Sequence, residues 1–408
     1  MKITSVNVYT VDRAGNDYGS PSQPRPSRGD RPAGVGSPQL RMPHAMAVFP
    51  EFRGGAPGWK GHHPNGYGYA PFVVEIETDS GHRGFAVNHG GGLLACEVID
   101  GFFRPLVEGK NPFDTNLIWE QMYRSQMLWG QGGTAYMAMS AIDLALWDLK
   151  GKLLEKPVYD LIGGRTCDAL PCYVTTFEPV MQHMADKGFC GVKIQVTHGP
   201  ADPDGIEQVE QLTARARDLF APNLPLRLEC FMGWDDQFTV AAAQRVRRYE
   251  VEWIEDPILA DASTSRYRRL RRSIRPIQLA VGNLMWGEQR FHSLIEEGGA
   301  DVIQPELQWS GGLTSALRIA AMCRGRGLKV IPHWSGVYSY HFTMAQTEAP
   351  YAEYVAHLGD RTKVLAKGHA IIGEPAPVDG HVMLSDEPGF GIHLNRDVIQ
   401  PYEPCNVD

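Results

Sequence analysis

The 408-residue sequence predicts an α/β fold in which a barrel of alternating strands and helices follows an α+β capping domain. From residue 168 onward, eight short apolar segments alternate with helix-length stretches, which is the pattern of a closed parallel barrel. Before that point the pattern is mixed, with strands first and helices after them. No glycine-rich phosphate turn follows the first apolar segment of the barrel region, which disfavours an open doubly wound sheet.

The N-terminal region begins with an alternating strand at residues 2–11. Residues 13–71 are rich in Gly, Pro, Ser and Arg and lack periodicity, which indicates a lid or a disordered insert. A hairpin and three helical patterns follow at residues 72–78 with 84–87, 93–108, 114–128 and 134–154. We therefore expect a capping domain over 1–165, a barrel over 166–385 and a segment returning to the cap over 386–408.

The eight barrel strands are predicted at residues 170–175, 191–196, 226–230, 251–255, 277–281, 301–305, 328–332 and 353–356. After the third strand their spacing is close to one strand–helix unit per 20 to 30 residues.

Composition excludes several functional classes. A formal charge of −8, evenly scattered, provides no basic stripe for nucleic acid. No apolar signal segment and no run of about 18 apolar residues is present, so we expect no membrane association. Seven cysteines without a CxxC pair indicate reduced thiols and a cytoplasmic protein.

Polar residues follow almost every predicted barrel strand, and active sites of barrel enzymes lie at these carboxyl ends. The separations between successive groups are 26, 28, 23, 27 and 20 residues, so each group lies one strand further around the mouth. Each residue taken alone is better explained as a turn or helix-cap residue than as a ligand. Their regular spacing favours a shared site, formed by Lys193, Gln195, Glu229, Glu255, Asn283, Glu306, His333 and Glu353.

Glu229, Glu255 and Asn283 offer only oxygen ligands, which suits a hard cation such as Mg²⁺. The alternative is a carboxylate pair that stabilises helix starts. One strand further on, Glu306 is placed to accept the Nδ1 proton of His333 and to raise its basicity, which predicts a general base.

Several motifs resemble the enolase superfamily and its mandelate racemase subgroup across almost the whole chain. They are Ser140 to Asp148 with Gly163-Gly164, Trp253-Ile254-Glu255-Asp256-Pro257, Gln304-Pro305 and Gly311-Gly312-Leu313-Thr314. Within this group, Val330 to His333 with Ser335 and His341, the turn Thr197 to Pro200, and the segment Pro388 to Asp397 look most like rhamnonate dehydratases.

This resemblance implies a modified (β/α)7β-type TIM barrel, one Mg²⁺ per subunit with Mn²⁺ as a substitute, and a homo-oligomer such as an octamer. It implies metal ligands at Glu229, Glu255 and Asn283, a base at His333 assisted by Glu306, and an electrophilic acid at Glu353. The implied reaction is removal of water from a sugar acid, which gives a 2-keto-3-deoxy acid.

The sequence also departs from the rhamnonate pattern. The third ligand is Asn283 followed by Leu284 rather than Glu followed by His, while Glu229 and Glu306 replace the usual Asp residues. Each Glu adds one methylene of reach, which indicates a changed substrate or a lost activity. Gln195 replaces the second base of the racemases, so a one-base elimination is favoured over racemisation.

Substrate contacts are predicted for a further set of residues: Lys193, Gln195, His198, Trp334, and His44 and Arg53 of the lid, which also carries His62 and His63. Lys193 is equally well explained as an interior partner of a ligand carboxylate. Two other readings stay open: an epimerase, cycloisomerase or eliminase that uses the same enolate, and a catalytically silent binding protein.

Overall fold

A computed structural model of the chain describes residues 1–11, 45–49, 71–178, 180–356, 363–366 and 370–404. Of the predicted lid, only residues 45–49 and 71 belong to the described part, and Ala45–Val48 form a 3-10 turn there. The lid residues His44, Arg53, His62 and His63 lie outside the described residues.

The capping domain is built on an antiparallel sheet of three strands from the N-terminal region and one from the C-terminal region. These are β1 (Ile3–Val11), β2 (Phe72–Thr78), β3 (Arg83–Asn88) and β15 (Ile399–Pro401), in the order β15-β1-β2-β3. Along β1, buried Val6 and Val8 alternate with more accessible residues, because successive side chains of a strand point to opposite faces. The hairpin of β2 and β3 was predicted from the sequence around Gly81, which has the positive φ that such turns require.

Helices cover one face of this sheet. They are α1 (Gly92–Val98), α2 (Arg104–Val107), α3 (Thr115–Ser125), α4 (Thr134–Leu153) and α5 (Val158–Leu161). A π-helical turn at Ile99–Phe103 joins α1 to α2, where the sequence predicted one continuous helix. Nearly all of α4 is buried, and Gly84 of β3 lies so close to it that a Cβ there would be 2.4 Å from the carbonyl oxygen of Ala145.

The barrel contains eight parallel strands in chain order. They are β4 (Leu170–Thr176), β5 (Val192–Gln195), β6 (Leu226–Glu229), β7 (Val251–Glu255), β8 (Gln278–Val281), β9 (Val302–Ile303), β10 (Lys329–Val330) and β11 (Ala352–Val355). Each strand pairs with the next from β4 to β10, and β11 pairs with β4. Between the described strands β10 and β11 no ladder forms, because β10 has two residues and the Val330 N–H donates to Glu348 instead.

Helices on the outside of the barrel follow most of the strands. They are α6 (Gly205–Leu219), α7 (Asp236–Val246), α8 (Thr264–Ser273), α9 (Glu288–Glu296), α10 (Gly312–Gly325) and α11 (Val337–Met344). After β4 the described chain forms only a short 3-10 turn at Met181–His183. The large apolar core lies between strands and helices, and a smaller core inside the barrel consists of Tyr173, Trp253, Ala280, Val302 and Ile331.

The floor of the barrel interior holds a buried arginine. The Arg227 guanidinium lies over the rings of Tyr173, Trp253 and Tyr351, 4.0 to 4.7 Å from their centroids, and it pairs with Glu252 at 2.8 Å. The interior is therefore filled by side chains from the floor up to the polar layer at the mouth.

Helix α4 carries two buried carboxylates, of which Asp143 bonds the barrel and Asp148 bonds the cap sheet and the C-terminal segment. Asp143 accepts hydrogen bonds from the N–H and hydroxyl of Thr314 in α10, and Asp148 accepts from the N–H groups of Phe85 and Phe390. The C-terminal region adds short strands β12 (Ile371–Ile372), β13 (His381–Val382) and β14 (His393–Leu394) before it reaches β15. The predicted fold class, a β/α barrel with an N-terminal α+β cap, is confirmed. In the described chain, every helix is too short or too polar to cross a membrane.

Candidate active site

Two carboxylates lie side by side where β6 and β7 end. Glu229 pairs in register with Glu255, and Gln195 at the end of β5 pairs with Glu229. All three side chains point into the barrel mouth because alternate residues of barrel strands face inward. Glu229 and Glu255 are fully buried, so their charges need a partner.

The partner in the structure is Lys193. Its Nζ is 3.1 Å from Glu229 and 3.0 Å from Glu353, and it also contacts Glu255. Burial lowers the pKa of Lys193, but the carboxylates of Glu255 and Glu353 outweigh burial and leave this pKa well above its ordinary value. Lys193 is therefore an ammonium group held among three carboxylates.

The two neighbouring carboxylates have opposite pKa shifts. Burial and the charge of Glu255 raise the pKa of Glu229 well above its ordinary value. For Glu255, burial raises the pKa, but the Lys193 ammonium and the hydrogen bond with Glu229 together outweigh burial, and the pKa is lowered. Lys193 therefore favours the ionised form of Glu255, whereas burial and the neighbouring charge disfavour ionisation of Glu229.

Asn283, two residues beyond β8, completes the predicted ligand set. Its side chain is buried, and neither its oxygen nor its nitrogen has a hydrogen-bond partner among the described residues. Buried amides without partners are rare in folded proteins, so this one fits a ligand role. No three His, Cys, Asp or Glu side chains of the described chain form a group that could hold a metal ion. Two carboxylates and an amide oxygen suit Mg²⁺.

The backbone that follows these ligands is strained. Phe231 and Met232 after β6 and Asp256 after β7 have φ values of 42°, 60° and 39°, although none is glycine. Such conformations cost about 1–3 kcal/mol each and persist where the surroundings impose them. At β6 the turn directs the N–H of Phe231 to Glu229 at 2.8 Å, so the backbone orients this carboxylate.

On the opposite side of the mouth, His333 and Glu306 form a hydrogen-bonded pair. His333 Nδ1 is 2.8 Å from a carboxylate oxygen of Glu306, and a parallel bridge joins the two residues. Burial lowers the pKa of His333, but the hydrogen bond to Glu306 and the charges of Glu353 and Glu306 together outweigh burial, and the pKa is raised. Burial raises the pKa of Glu306, and His333 partly offsets this rise. A histidine oriented in this way has the arrangement of a general base.

Glu353 of β11 lies between the two sides. It accepts hydrogen bonds from the Thr175 hydroxyl and from the Trp334 N–H at 3.1 Å. Burial raises its pKa, but Lys193 and His333 outweigh burial and lower the pKa to about 2. In contact with Lys193, Glu353 is thus a hydrogen-bond acceptor.

The remaining predicted residues are more dispersed. Gln195 is partly buried, and its side-chain oxygen has no partner among the described residues. His198 lies on the loop after β5, with Nδ1 3.9 Å from Asp202. Trp334 follows His333 and packs at a tilt of 43° against the His89 ring of the cap, with 5.2 Å between centroids.

Sequence reasoning assigned no role to several side chains that orient the carboxylates. Trp253 Nε1 and Gln304 Nε2 donate to Glu255 at 3.0 and 2.8 Å, and the Ser335 hydroxyl donates to Glu306. These three residues belong to the motifs that carry the resemblance, so the signal was present. Thr175, which donates to Glu353, has no such signal, because a threonine in a strand is ordinary.

The fold and the mouth define a capped β/α-barrel protein. Two family models match consecutive parts of the chain: the mandelate racemase / muconate lactonizing enzyme N-terminal domain at residues 68–163 and the enolase C-terminal domain-like family at 178–398. The chain belongs to the mandelate racemase / muconate lactonizing enzyme family, within the enolase superfamily.

Full-length relatives narrow this assignment. The chain is 34% identical over 405 residues to a putative L-rhamnonate dehydratase of Caldivirga maquilingensis, covering 98% of this chain and 97% of the relative. It is 32% identical over 408 residues to the L-rhamnonate dehydratase of Saccharopolyspora erythraea, covering 99% and 100%. The solved rhamnonate dehydratase from Gibberella zeae complexed with Mg superposes with a TM-score of 0.86 at 29% identity, over 98% of this chain and 96% of that one.

Proposed function

We propose that this chain is a Mg²⁺-dependent dehydratase of a sugar acid, a hydro-lyase similar to rhamnonate dehydratases. The observation that carries the proposal is the His333–Glu306 pair at 2.8 Å, located at the same barrel mouth as two carboxylates and an unpartnered amide. Full-length relatives that carry the name L-rhamnonate dehydratase support the same activity.

Glu229, Glu255 and Asn283 would hold the metal ion. When bound, Mg²⁺ supplies positive charge that binds the substrate carboxylate and stabilises the negative charge created by proton removal. Mn²⁺, with similar preferences for oxygen ligands, is the expected substitute. Trp253 and Gln304 hold one oxygen of Glu255, so this carboxylate is oriented before a ligand arrives.

His333 would take the proton from the carbon next to the substrate carboxylate. Glu306 holds Nδ1–H, which leaves Nε2 as the basic nitrogen. The C–H electron pair forms the carbon–carbon double bond as the bond to the β-hydroxyl breaks. The imidazolium returns its proton to the departing hydroxyl, so water leaves and the enol product tautomerises to a 2-keto-3-deoxy acid.

The residues opposite the base support elimination by one base. Gln195, at the position of the second base in racemases, cannot abstract a proton. Lys193 and Glu353 would form the electrophilic side, in which Lys193 is the charged donor and Glu353 can donate only after it gains a proton. Gln195, His198 and Trp334, with His44 and Arg53 of the lid, would contact the sugar chain and set its stereochemistry.

The domain division that accompanies this function is a cap over 1–165, a barrel over 166–385 and a returning segment over 386–408. We also propose a symmetric homo-oligomer in the cytoplasm. Exposed apolar side chains of the cap support association: Phe102, Leu128 and Trp129 are 54%, 98% and 41% exposed. The six cysteines in the described part are free thiols, which supports a reducing compartment.

The test is turnover by the purified protein with Mg²⁺ across a panel of sugar acids that includes L-rhamnonate. Keto-acid trapping with semicarbazide detects the product, and mass spectrometry shows whether one water is lost. Dehydration that stops with EDTA and returns with Mg²⁺ is the expected result. A product of unchanged mass contradicts the dehydratase and indicates an isomerase, whereas no turnover together with no metal binding contradicts any enzyme of this type.

A further inference from the structure

Gln308 lies two residues beyond Glu306, in the loop between β9 and α10, and it contacts the capping domain. Its side chain is fully buried, and Nε2 donates to the Val87 carbonyl of β3 at 2.9 Å. The Nδ1 atom of His89 lies 3.2 Å from Nε2 and 3.3 Å from Oε1 of the same amide. The side chain of Gln308 is thus held by the end of a cap strand.

The backbone of the same residue is held from the cap as well. The amide of Asn88 donates to the Gln308 carbonyl at 2.6 Å and to the Met137 carbonyl of α4 at 3.0 Å. Its oxygen accepts the Gly90 N–H at 2.9 Å. Asn88 is itself fully buried, so none of these bonds is easily replaced by water.

The backbone N–H of Gln308 bonds the Glu306–His333 pair. This N–H donates to Oε1 of Glu306 at 3.0 Å, while Oε2 of Glu306 binds His333. The other donor to Oε1 is the Ser335 hydroxyl, which belongs to the barrel. One of the two donors that set the carboxylate plane is therefore fixed by the cap.

The cap also lies over the ring that packs on the base. Gly90 is so close to Trp309 that a Cβ there would be 2.7 Å from Nε1, and the Trp309 ring is 5.8 Å from the His333 ring. Contacts from β3 and the two residues after it thus reach both members of the pair, to Glu306 through Gln308 and to His333 through Trp309.

We propose that Gln308 is a positioning residue that fixes the Glu306–His333 pair to the capping domain. This inference rests on the proposed function for its catalytic meaning, but the arrangement itself can be tested without turnover. Through Gln308, the cap sets the orientation of Glu306, and Glu306 sets the orientation and basicity of His333. The capping domain thereby helps to orient the proposed base, in addition to covering the barrel mouth.

The charged groups around His333 come from several elements. Lys193 on β5, Glu255 and Asp256 at the end of β7, Glu306 after β9 and Glu353 on β11 all act on its titration. Removing the Gln308 side chain changes none of these charges. A shift in His333 titration would then report a change in position.

The test compares Gln308→Met with Tyr338→Phe. Both variants remove a buried hydrogen bond between barrel and cap at Val87: the Gln308 side chain donates to the Val87 carbonyl, and the Tyr338 hydroxyl accepts the Val87 N–H at 2.8 Å. Gln308→Met also removes the contact of the amide with His89. Of the two residues, only Gln308 also bonds Glu306, through a backbone N–H that the substitution keeps but no longer holds in place from the cap through the side chain. Modification of His333 by diethyl pyrocarbonate, followed by peptide mass spectrometry across pH, reports the fraction of neutral imidazole without any need for turnover.

In Gln308→Met, we expect the His333 titration to move to lower pH by roughly one unit, because a displaced Glu306 no longer stabilises the imidazolium. With an active substrate, kcat should fall about 10- to 100-fold, since displacements near 1 Å cost this much. Tyr338→Phe should lower Tm similarly and leave the His333 titration in place.

Equal His333 titration in both variants, or no shift in Gln308→Met, overturns the proposal. A wild-type protein without turnover rejects the proposed function, while the titration still decides the role of Gln308.

Discussion

On the β5–β7 side of the barrel mouth, Glu229 and Glu255 accept neutral donors and also share one buried ammonium group, whereas on the β9–β10 side Glu306 is bonded by a hydroxyl, a peptide N–H and the His333 ring. The first side is organised by neutralisation of charge, and an added cation changes it. The second side is organised by neutral donors of fixed geometry. Charge neutralisation suits a site that accepts a metal ion, and hydrogen bonds of fixed geometry suit a site that keeps a base in one orientation.

The largest expected effect is on the base side. Replacing His333 by Asn removes the only proposed base, so kcat should fall by about 10² to 10⁴-fold with metal affinity unchanged. The matched control is His292→Asn, a change at an exposed histidine of α9, which should keep full activity. Steady-state kinetics and Mg²⁺ titration by calorimetry measure both properties. Activity retained in His333→Asn would place the base elsewhere.

On the other side, Lys193→Met leaves three buried carboxylates without their ammonium partner. Removing one member of a buried ion pair costs about 3–5 kcal/mol, so urea unfolding in EDTA should show a loss of this size. Added Mg²⁺ should restore part of it. The control is Lys187→Met, where an exposed lysine lies 3.5 Å from Asp186 and about 0–1 kcal/mol is expected. Equal losses in the two variants would show that Lys193 does not neutralise the ligand side.

Substitutions of Asn283 should change metal binding without changing the stability of the fold. The Asn283 side chain has no hydrogen-bond partner among the described residues, so Asn283→Ala should leave stability in EDTA nearly unchanged. The affinity for Mg²⁺ should fall at least about 10-fold, and Asn283→Asp should raise it by adding a third carboxylate. Thermal shift against Mg²⁺ concentration measures the change. Identical Mg²⁺ curves for all three proteins would remove Asn283 from the ligand set.

The smallest effect concerns pH. Glu306 raises the pKa of His333 above 6.5, and the base acts only when neutral, so kcat/KM should rise as pH increases through that raised pKa. Glu306→Gln removes the negative charge, which should move this rise to lower pH by about one unit and reduce the plateau. A pH–rate profile from pH 5 to 9 tests this. If the rise of kcat/KM with pH does not move in Glu306→Gln, the rise belongs to the titration of a group other than His333.

Much of the barrel and its strand ends could be predicted from sequence because both depend on local patterns. Apolar runs of strand length defined the eight strands, and single polar residues after them defined Glu229, Glu255 and His333. The proximity of Glu306 to His333 followed from one-strand spacing alone. The roles assigned to these residues stay predictions, because the position of a side chain does not test what it does in a reaction.

What the sequence did not predict depends on contacts between distant segments. Asn88 and Gln308 are 220 residues apart, and neither a glutamine nor an asparagine in a loop has a pattern that marks its partner. Similarly, no periodicity shows that Lys193 contacts Glu353, which lies 160 residues away. The gap between β10 and β11 arises from a competing hydrogen bond of Val330, which local composition does not encode.

The antiparallel pairing of β1 with β15 brings Tyr9 opposite Pro401 in the capping sheet. A ribosome makes these two strands at nearly opposite times, and the barrel emerges between them. The cap sheet can therefore reach its final form only after the barrel strands have been synthesised. Since β3 of that sheet also contacts Gln308, a sheet that is completed after the barrel strands supports the proposed site, and nascent chains arrested before residue 399 should hold the cap sheet without β15.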